Sequence, residues 1–331
     1  MNRKRLTIKE FSKKLGVSTA TVSRAFSTKG RISEETRDYI HKKAIELGYR
    51  ANANARNLTL QKSDSIGYFY PSLIAGEPDY FIAEILMGIN EAVSDWDMRL
   101  HIYPFAVTGK GLSTNYKTLI FDGALAGVII HGGTAEATEL IKLAEASNTP
   151  YIAISDIEKP TEKYVGFNTA KGAEKAGSFF LESGRKHPLF IRGVQDEGKL
   201  LGFQKGLKNL TEKLLIDEGG TTFQDGYDAF ERVAEIDSTI DSVFCANDIL
   251  AIGFMRAALK SGKAIPKEIS VIGCDNIKFA KYHTPSLTTI RIPKYEMGQK
   301  SVIKLMETIN NRSNIENFEI LNCELITRES S

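Results

Sequence analysis

Gly16-Val-Ser-Thr-Ala-Thr-Val-Ser-Arg24 decides how this chain is read. Gly16 ends one short helical pattern, and Ser18 is a natural N-cap for the next, Thr19 to about Phe26. Before it, Thr7-Ile-Lys-Glu10 is a capping box, and Ile8, Phe11 and Leu15 recur at helical spacing. Two short helices joined by a glycine-containing turn make a helix-turn-helix. After it, Ser33 caps a third helix, with Glu34 and Glu35 where the dipole favours acids. Thr36, Ile40, Ala44 and Leu47 form its expected inner stripe, and Gly48 closes it. Within the second helix Val22 and Phe26 point inward, and Thr19, Ala20 and Arg24 face out.

Charge singles out the same segment. Residues 1–62 hold 15 Lys and Arg against 5 Asp and Glu, whereas the remainder holds 28 against 36. A basic head on an acidic body suggests a polyanion partner for the head alone. A helix with short outward residues can enter a major groove. Arg24 serves there either as a bidentate contact to guanine or as a phosphate clamp. Thr19 reaches a base edge or a thymine methyl, with Ala20 allowing close approach. Ser18, Thr21 and Ser23 have hydroxyls for phosphates, which position without specifying.

These residues carry a resemblance. Thr7-Ile-Lys-Glu10, Gly16 to Arg24, Ser33-Glu-Glu-Thr-Arg37 and Glu46-Leu-Gly-Tyr49 resemble the DNA-binding head of the lactose/galactose repressor (LacI/GalR) family. Thr7 joins the DNA-contacting set by that resemblance. Ser27 replaces the family's usual Asn, and Ala51 its usual Pro. Residues 51–63 form a short polar linker whose Ala55-Arg-Asn-Leu58 resembles the family's hinge helix. The resemblance implies that Asn54 and Ala55 meet the minor groove and that Leu58 wedges between base pairs. The alternative is an ordinary linker whose Leu58 packs on the body.

From Ser63 onward, apolar strand-like runs alternate with helical patterns, from Ile66-Gly-Tyr-Phe-Tyr70 through Ile269-Ser-Val-Ile-Gly273. Repeated βα units imply parallel sheets covered on both faces. The expected fold is a small all-α head plus an α/β core of two doubly wound parallel-sheet lobes. The resemblance resumes at Val243-Phe-Cys-Ala-Asn-Asp-Ile-Leu-Ala251, Ile265 to Asn276, Thr284-Pro-Ser-Leu-Thr-Thr289 and Pro293-Lys-Tyr-Glu-Met-Gly298. It implies a core like the periplasmic sugar-binding proteins. The lobes would be 64–165 with 292–315 and 166–291 with 316–331, closing on a ligand like a clam.

Strand C-terminal positions face such a cleft. Asp275 resembles the family's ligand-binding acid, with a plain turn acid as the alternative. Asn247 resembles a ligand-contacting amide, and Asp248 reads as an N-cap. Lys199 takes the place of a usual Arg, and Asn168-Thr169 that of a usual Asp-Asn. Tyr80 and Phe81 supply a stacking wall or simply core, and Ser72 and His131 are further candidates. The implied effector is a sugar or sugar phosphate.

Other functions find little in the sequence. The chain of 331 residues has no apolar run near the ~18 residues of a membrane span. Its start, Met-Asn-Arg-Lys-Arg, leads into no apolar signal core, so a cytoplasmic location is expected. Cys245, Cys274 and Cys323 read as small buried residues. No metal-ligand spacing, Walker A motif or GxSxG elbow occurs, and Gly109-Lys-Gly111 is a lone GxG, so no cofactor and no enzyme are expected. The expected partners are a near-palindromic operator, a carbohydrate effector and a second copy of the chain. A regulator gated by a protein co-regulator and a solute-binding transport component are the rival readings.

Overall fold

The computed structural model describes residues 6–26, 31–50, 63–72, 79–156, 163–194, 196–208, 210–310 and 318–331. The linker candidates Asn54, Ala55 and Leu58 lie outside them, as do Ser27 and Ala51. The chain divides into two compact units, Met1–Asp64 with Asp97–Arg99 and Ser65–Trp96 with Leu100–Ser331.

In the first unit, helices α1 (Ile8–Leu15), α2 (Thr19–Ala25) and α3 (Glu34–Leu47) follow the caps read from the sequence. The Thr7 main-chain N–H donates to the Glu10 carboxylate at 2.8 Å, and Glu10 N–H donates back to the Thr7 hydroxyl at 3.3 Å. Gly16 leaves α1 at φ 70°, a left-handed turn that a side chain would strain. Phe11, Val22, Ala25, Ile40 and Ala44 are buried together. The expected inner stripe of α3 fails at its last member, for Leu47 is 38% exposed. Gly48 redirects the chain so that Tyr49 takes that place, its ring stacked on Phe11 with centroids 4.0 Å apart. The last carbonyl of α2, Ala25, accepts from Arg37 Nη1 at 2.9 Å and lies 3.0 Å from His41 Nε2. These contacts answer a carbonyl that helix ends otherwise leave unpaired.

The second unit holds two six-stranded sheets. The first contains β1 (Ser65–Ser72), β2 (Arg99–Ala106), β3 (Gly127–His131), β4 (Tyr151–Asp156), β5 (Tyr164–Phe167) and β11 (Phe318–Leu321), in the order β11-β5-β4-β3-β1-β2. The second contains β6 (Pro188–Ile191), β7 (Leu215–Asp217), β8 (Ser242–Cys245), β9 (Ser270–Asp275), β10 (Thr288–Arg291) and β12 (Glu324–Ile326), in the order β12-β10-β9-β8-β6-β7. The β1–β3, β3–β4, β4–β5 and β6–β8–β9–β10 pairings are parallel, and β12 joins antiparallel. Both sheets therefore reverse strand order at one place, between β1 and β3 and between β6 and β8. Such switch points open crevices at strand C-terminal ends.

Around the first sheet lie α4 (Tyr80–Ser94), α5 (Thr114–Phe121), α6 (Ala135–Ala146) and α12 (Lys294–Ile309). Around the second lie α7 (Thr169–Glu182), α8 (Glu197–Gly206), α9 (Phe223–Ile236), α10 (Asp248–Lys260) and the short α11 (Lys278–Tyr282). Helices α4 and α12 touch backbone to backbone at Gly88 and Gly298. A Cβ on Gly88 would stand 2.0 Å from the Tyr295 carbonyl oxygen, and one on Gly298 2.2 Å from that of Ile85.

The chain crosses between lobes after β5, between β10 and α12, and between β11 and β12. The third crossing falls at 322–323, not near 316 as the sequence suggested. Phe318–Leu321 pairs in register with Tyr164–Phe167 and so belongs to the first sheet. Helix α8 begins at Glu197, and its Gly202 and Gly206 lie against the main chain of Ala170 and Glu174 in α7.

Candidate functional site

Two surfaces carry the candidate residues. In the helical unit Thr19, Ala20 and Arg24 are exposed on α2, while Val22 beneath them is fully buried. Phe26 is half-buried against His41 and Tyr49. Ser18 accepts from Thr21 N–H at 3.0 Å, and the two hydroxyls meet at 2.8 Å. Thr7 and Ser18 thus have a structural role, capping α1 and α2, besides any contact to phosphate. Ser23 is half-buried.

In the α/β unit a cavity of about 570 Å³ opens where the C-terminal ends of both sheets meet. The first lobe lines it with Asp79, Tyr80, Phe81, His131, Asp156 and Phe167, and the second with Thr169, Glu197, Lys199, Asn247, Asp275 and Ile277. The sequence-expected Tyr80, Phe81, His131, Lys199, Asn247 and Asp275 are therefore brought together. Ser72 and Asn168 are not among its lining. Ser72 is exposed at the end of β1, and Asn168 caps α7 by accepting from Lys171 N–H at 2.9 Å. Asp79, Asp156 and Thr169 were missed. Their signal was a cap position for Asp79 and a strand end for Asp156, both visible in principle.

Each side chain is held by the element behind it. Lys199, on the first turns of α8, donates through Nζ to the Ala246 carbonyl at 2.8 Å. Burial disfavours its charge, but Cys274, Asp275, Asp156 and Asp196 outweigh burial and raise its pKa, so it stays cationic. Asp275 ends β9 at φ 111°, a conformation that L residues rarely adopt and that costs energy. Its carboxyl is pushed up to about 6, first by burial, against the pull of Lys199 and Lys294. Lys294 is fully buried; it donates to the Asp275 carbonyl, lies 3.5 Å from Glu84 and sits over the Phe81 ring. It therefore joins α4 and α12 to the end of β9.

The apolar wall is aromatic. Phe81 packs on Phe167 and on His131, with centroids 5.9 and 5.8 Å apart. His131 is hydrogen-bonded to Tyr68 Oη at 3.2 Å, and burial lowers its pKa to about 4, so the ring is neutral. Asn247 acts twice, capping α10 by accepting from Leu250 N–H at 2.8 Å while lining the cavity. The cap expected at Asp248 thus falls one residue earlier. Asp248 is wholly buried, accepting from Ile277 N–H at 2.8 Å and from the Thr289 hydroxyl.

Among the described residues, no cluster of His, Cys, Asp and Glu is placed to hold a metal ion, and no helix is long and apolar enough to cross a membrane. The three cysteines are free and buried, and burial pushes up their thiols.

Comparison with known proteins matches both units of the chain. Residues 7–52 match the family model described as bacterial regulatory proteins, lacI family, and residues 178–331 match the periplasmic binding protein-like domain. The chain is 30% identical over 337 aligned positions to the probable HTH-type transcriptional repressor ExuR of Bacillus subtilis, covering 98% of each. The crystal structure of the Lac repressor dimer bound to operator and the anti-inducer ONPF superposes with a TM-score of 0.82 at 22% identity, over 99% of each chain. The CelR–cellobiose complex superposes with a TM-score of 0.71 at 22% identity, over 99% of this chain and 100% of that one. With 30% identity to a relative over nearly its whole length and a family match over its helical head, the chain belongs to the LacI family of bacterial regulatory proteins, DNA-binding regulators of transcription.

Proposed function

We propose that the protein is a cytoplasmic repressor, acting as a homodimer, whose hold on a near-palindromic operator is set by a carbohydrate bound between its lobes. The observation that carries this reading is the cavity, with aromatic rings from one lobe facing half-buried polar groups from the other. Sugars need that combination: an apolar ring face on an aromatic wall and fixed donors and acceptors for hydroxyls. Lys199 supplies donors, Asp275 and Asp156 acceptors, and Asn247 both. Phe81 and Phe167 form the wall.

On the DNA side, Arg24 and Thr19 read base edges from the major groove, and Ala20 permits the approach. Thr7, Ser18, Thr21 and Ser23 hold phosphates. Residues 51–63 act as the hinge, with Asn54, Ala55 and Leu58 at the operator's centre. An effector that touches both lobes favours the closed core over the open one. Only differential affinity moves such an equilibrium, and shifting it from 1:99 to 99:1 takes roughly 5.5 kcal/mol. The full-length homodimer has no catalytic role in this reading, and it needs no cofactor.

Selection of bound fragments from a genomic library, followed by calorimetry with aldopentoses and aldohexoses, tests the proposal. Enrichment of a short inverted repeat together with saturable binding of a sugar is the expected result. Retention of no sequence over random competitor at modest salt would overturn it.

A further inference from the structure

The charges around the cavity point to a narrower ligand class. We infer that the effector is an uncharged polyhydroxylated molecule, and that the site rejects phosphorylated and carboxylated sugars. This rests on the effector reading above and concerns the same cavity.

Helix N-termini are ready-made anion sites, because their free N–H groups and dipoles favour negative charge. Of the helices that start beside this cavity, α4, α7 and α8 each meet a carboxylate of the chain itself at that start. At α4, Asp79 accepts from Phe81 N–H and Ile82 N–H, both at 3.0 Å. At α7, Asp156 accepts from Thr169 N–H at 3.2 Å and from the Thr169 hydroxyl. At α8, Glu197 stands in the first turn, and Asp196 before it accepts from Gly193 N–H at 2.7 Å. At α10 the first-turn Asp248 is wholly buried and its carboxyl is pushed up to about 8, and the start is capped instead by the neutral Asn247, which accepts from Leu250 N–H at 2.8 Å. A phosphate arriving at the start of α4, α7 or α8 would meet an anion in the place it needs.

The cations do not redress this. Among the described lining residues Lys199 is the cation, against Asp79, Asp156, Glu197 and Asp275. Its ammonium already donates to Ala246 and faces Asp275, Asp156 and Asp196. Lys294 lies behind Phe81, committed to Glu84 and the Asp275 carbonyl. Arg192 is committed to Asp196, Glu197 and Glu218. The neutral His131 adds no charge. What remains is a set of carboxylate oxygens suited to accept from hydroxyls. Among the described residues an added anion finds only Lys199, already shared among several carboxylates, whereas a sugar hydroxyl has acceptors on both lobes.

The test is calorimetry on the full-length protein with matched sets: glucose, glucose 6-phosphate and glucuronate; galactose, galactose 6-phosphate and galacturonate; ribose and ribose 5-phosphate. In the set that binds, the parent sugar should bind about 30-fold or more tightly than its phosphate or uronate, the size of one uncompensated charge at this depth. Glu197→Gln, at an exposed position of the cavity mouth, should narrow that gap at least about twofold. A phosphate or uronate that binds more tightly than its parent overturns the inference while leaving an effector-gated regulator intact. A gap that Glu197→Gln does not change assigns the rejection to shape and also overturns it. Silence across all sets overturns the carbohydrate reading itself.

Discussion

Lys199 Nζ donates to the main-chain carbonyl of Ala246 at 2.8 Å, fixing a half-buried cation at the mouth of β8 and beside Asp275 at the mouth of β9. One donor anchors the ammonium to backbone, and the others remain for a ligand or a carboxylate. Lys199→Met removes the charge but keeps most of the stem. Sugar affinity should fall about 30-fold or more, because Asp275 and Asp156 lose their counter-ion. Operator binding without effector should persist, and calorimetry paired with a duplex-binding assay separates the two.

Asp248 gives a prediction in pH. Its carboxyl is pushed up to about 8, first by burial and then by Asp275, against the bonds from Thr289 and Ile277 and the charge of Lys294. The folded chain thus holds a proton that the unfolded chain has released above about 4. This contribution to stability is complete below that value and is lost as pH rises toward 8, at about 1.4 kcal/mol per pH unit. Asp248→Asn mimics the protonated acid, and the Thr289 hydroxyl can turn to accept from the new amide. The variant should gain on the wild type as pH goes from 5 to 8. Denaturant melts at a series of pH values would show this, and parallel curves for the two proteins would contradict it.

The Phe11–Tyr49 stack makes the helical unit vulnerable at one place. Tyr49→Ala empties a buried aromatic site, a loss of about 3 kcal/mol or more from a very small core. Operator binding should be lost while sugar binding and the main thermal transition of the α/β unit survive. Loss of sugar binding would mean that Tyr49 does something other than close its own core.

Gly88→Ala tests the close approach of α4 to α12. The added methyl group meets main-chain oxygen, which cannot rotate away. A cost of about 1–3 kcal/mol is expected, read as a lower denaturation midpoint of the α/β unit. An unchanged midpoint would show that the helices can slide apart without loss.

Base reading is open to a direct test as well. Arg24 is exposed on α2. Arg24→Ala should relax preference at one base pair per half-site, by about 1–3 kcal/mol. An equal loss on every sequence would make Arg24 a phosphate contact.

Much of this architecture is legible in the residues themselves. Thr7, Ser18, Ser33 and Gly16 are caps, which act over three or four residues and so are visible in a single sequence. Apolar runs such as Gly127-Val-Ile-Ile130 mark buried parallel strands for the same reason. The harder features depend on partners far along the chain. Phe318-Glu-Ile-Leu321 gives no sign that it pairs with β5 rather than continuing to the second sheet. Leu47 has the right spacing to be buried, yet the turn at Gly48 hands its place to Tyr49. In the cavity, residues at strand ends were recognisable by position. Asp79 and Asp156 carried such a positional signal too, a cap and a strand end, but which cap or strand-end acid lines the cavity is settled only once the opposite lobe is in place. Asn168 is the converse: its place beside Thr169 suggested a ligand contact, and its side chain is used on its own helix.

Coupling between cavity and operator is tested most directly by the affinity of the full-length protein for its selected operator. Fluorescence anisotropy would measure it with and without a saturating sugar that calorimetry shows to bind. The predicted result is a change of at least about tenfold, in either direction, that Lys199→Met abolishes at the same sugar concentration. An unchanged operator affinity with the sugar demonstrably bound would contradict effector control.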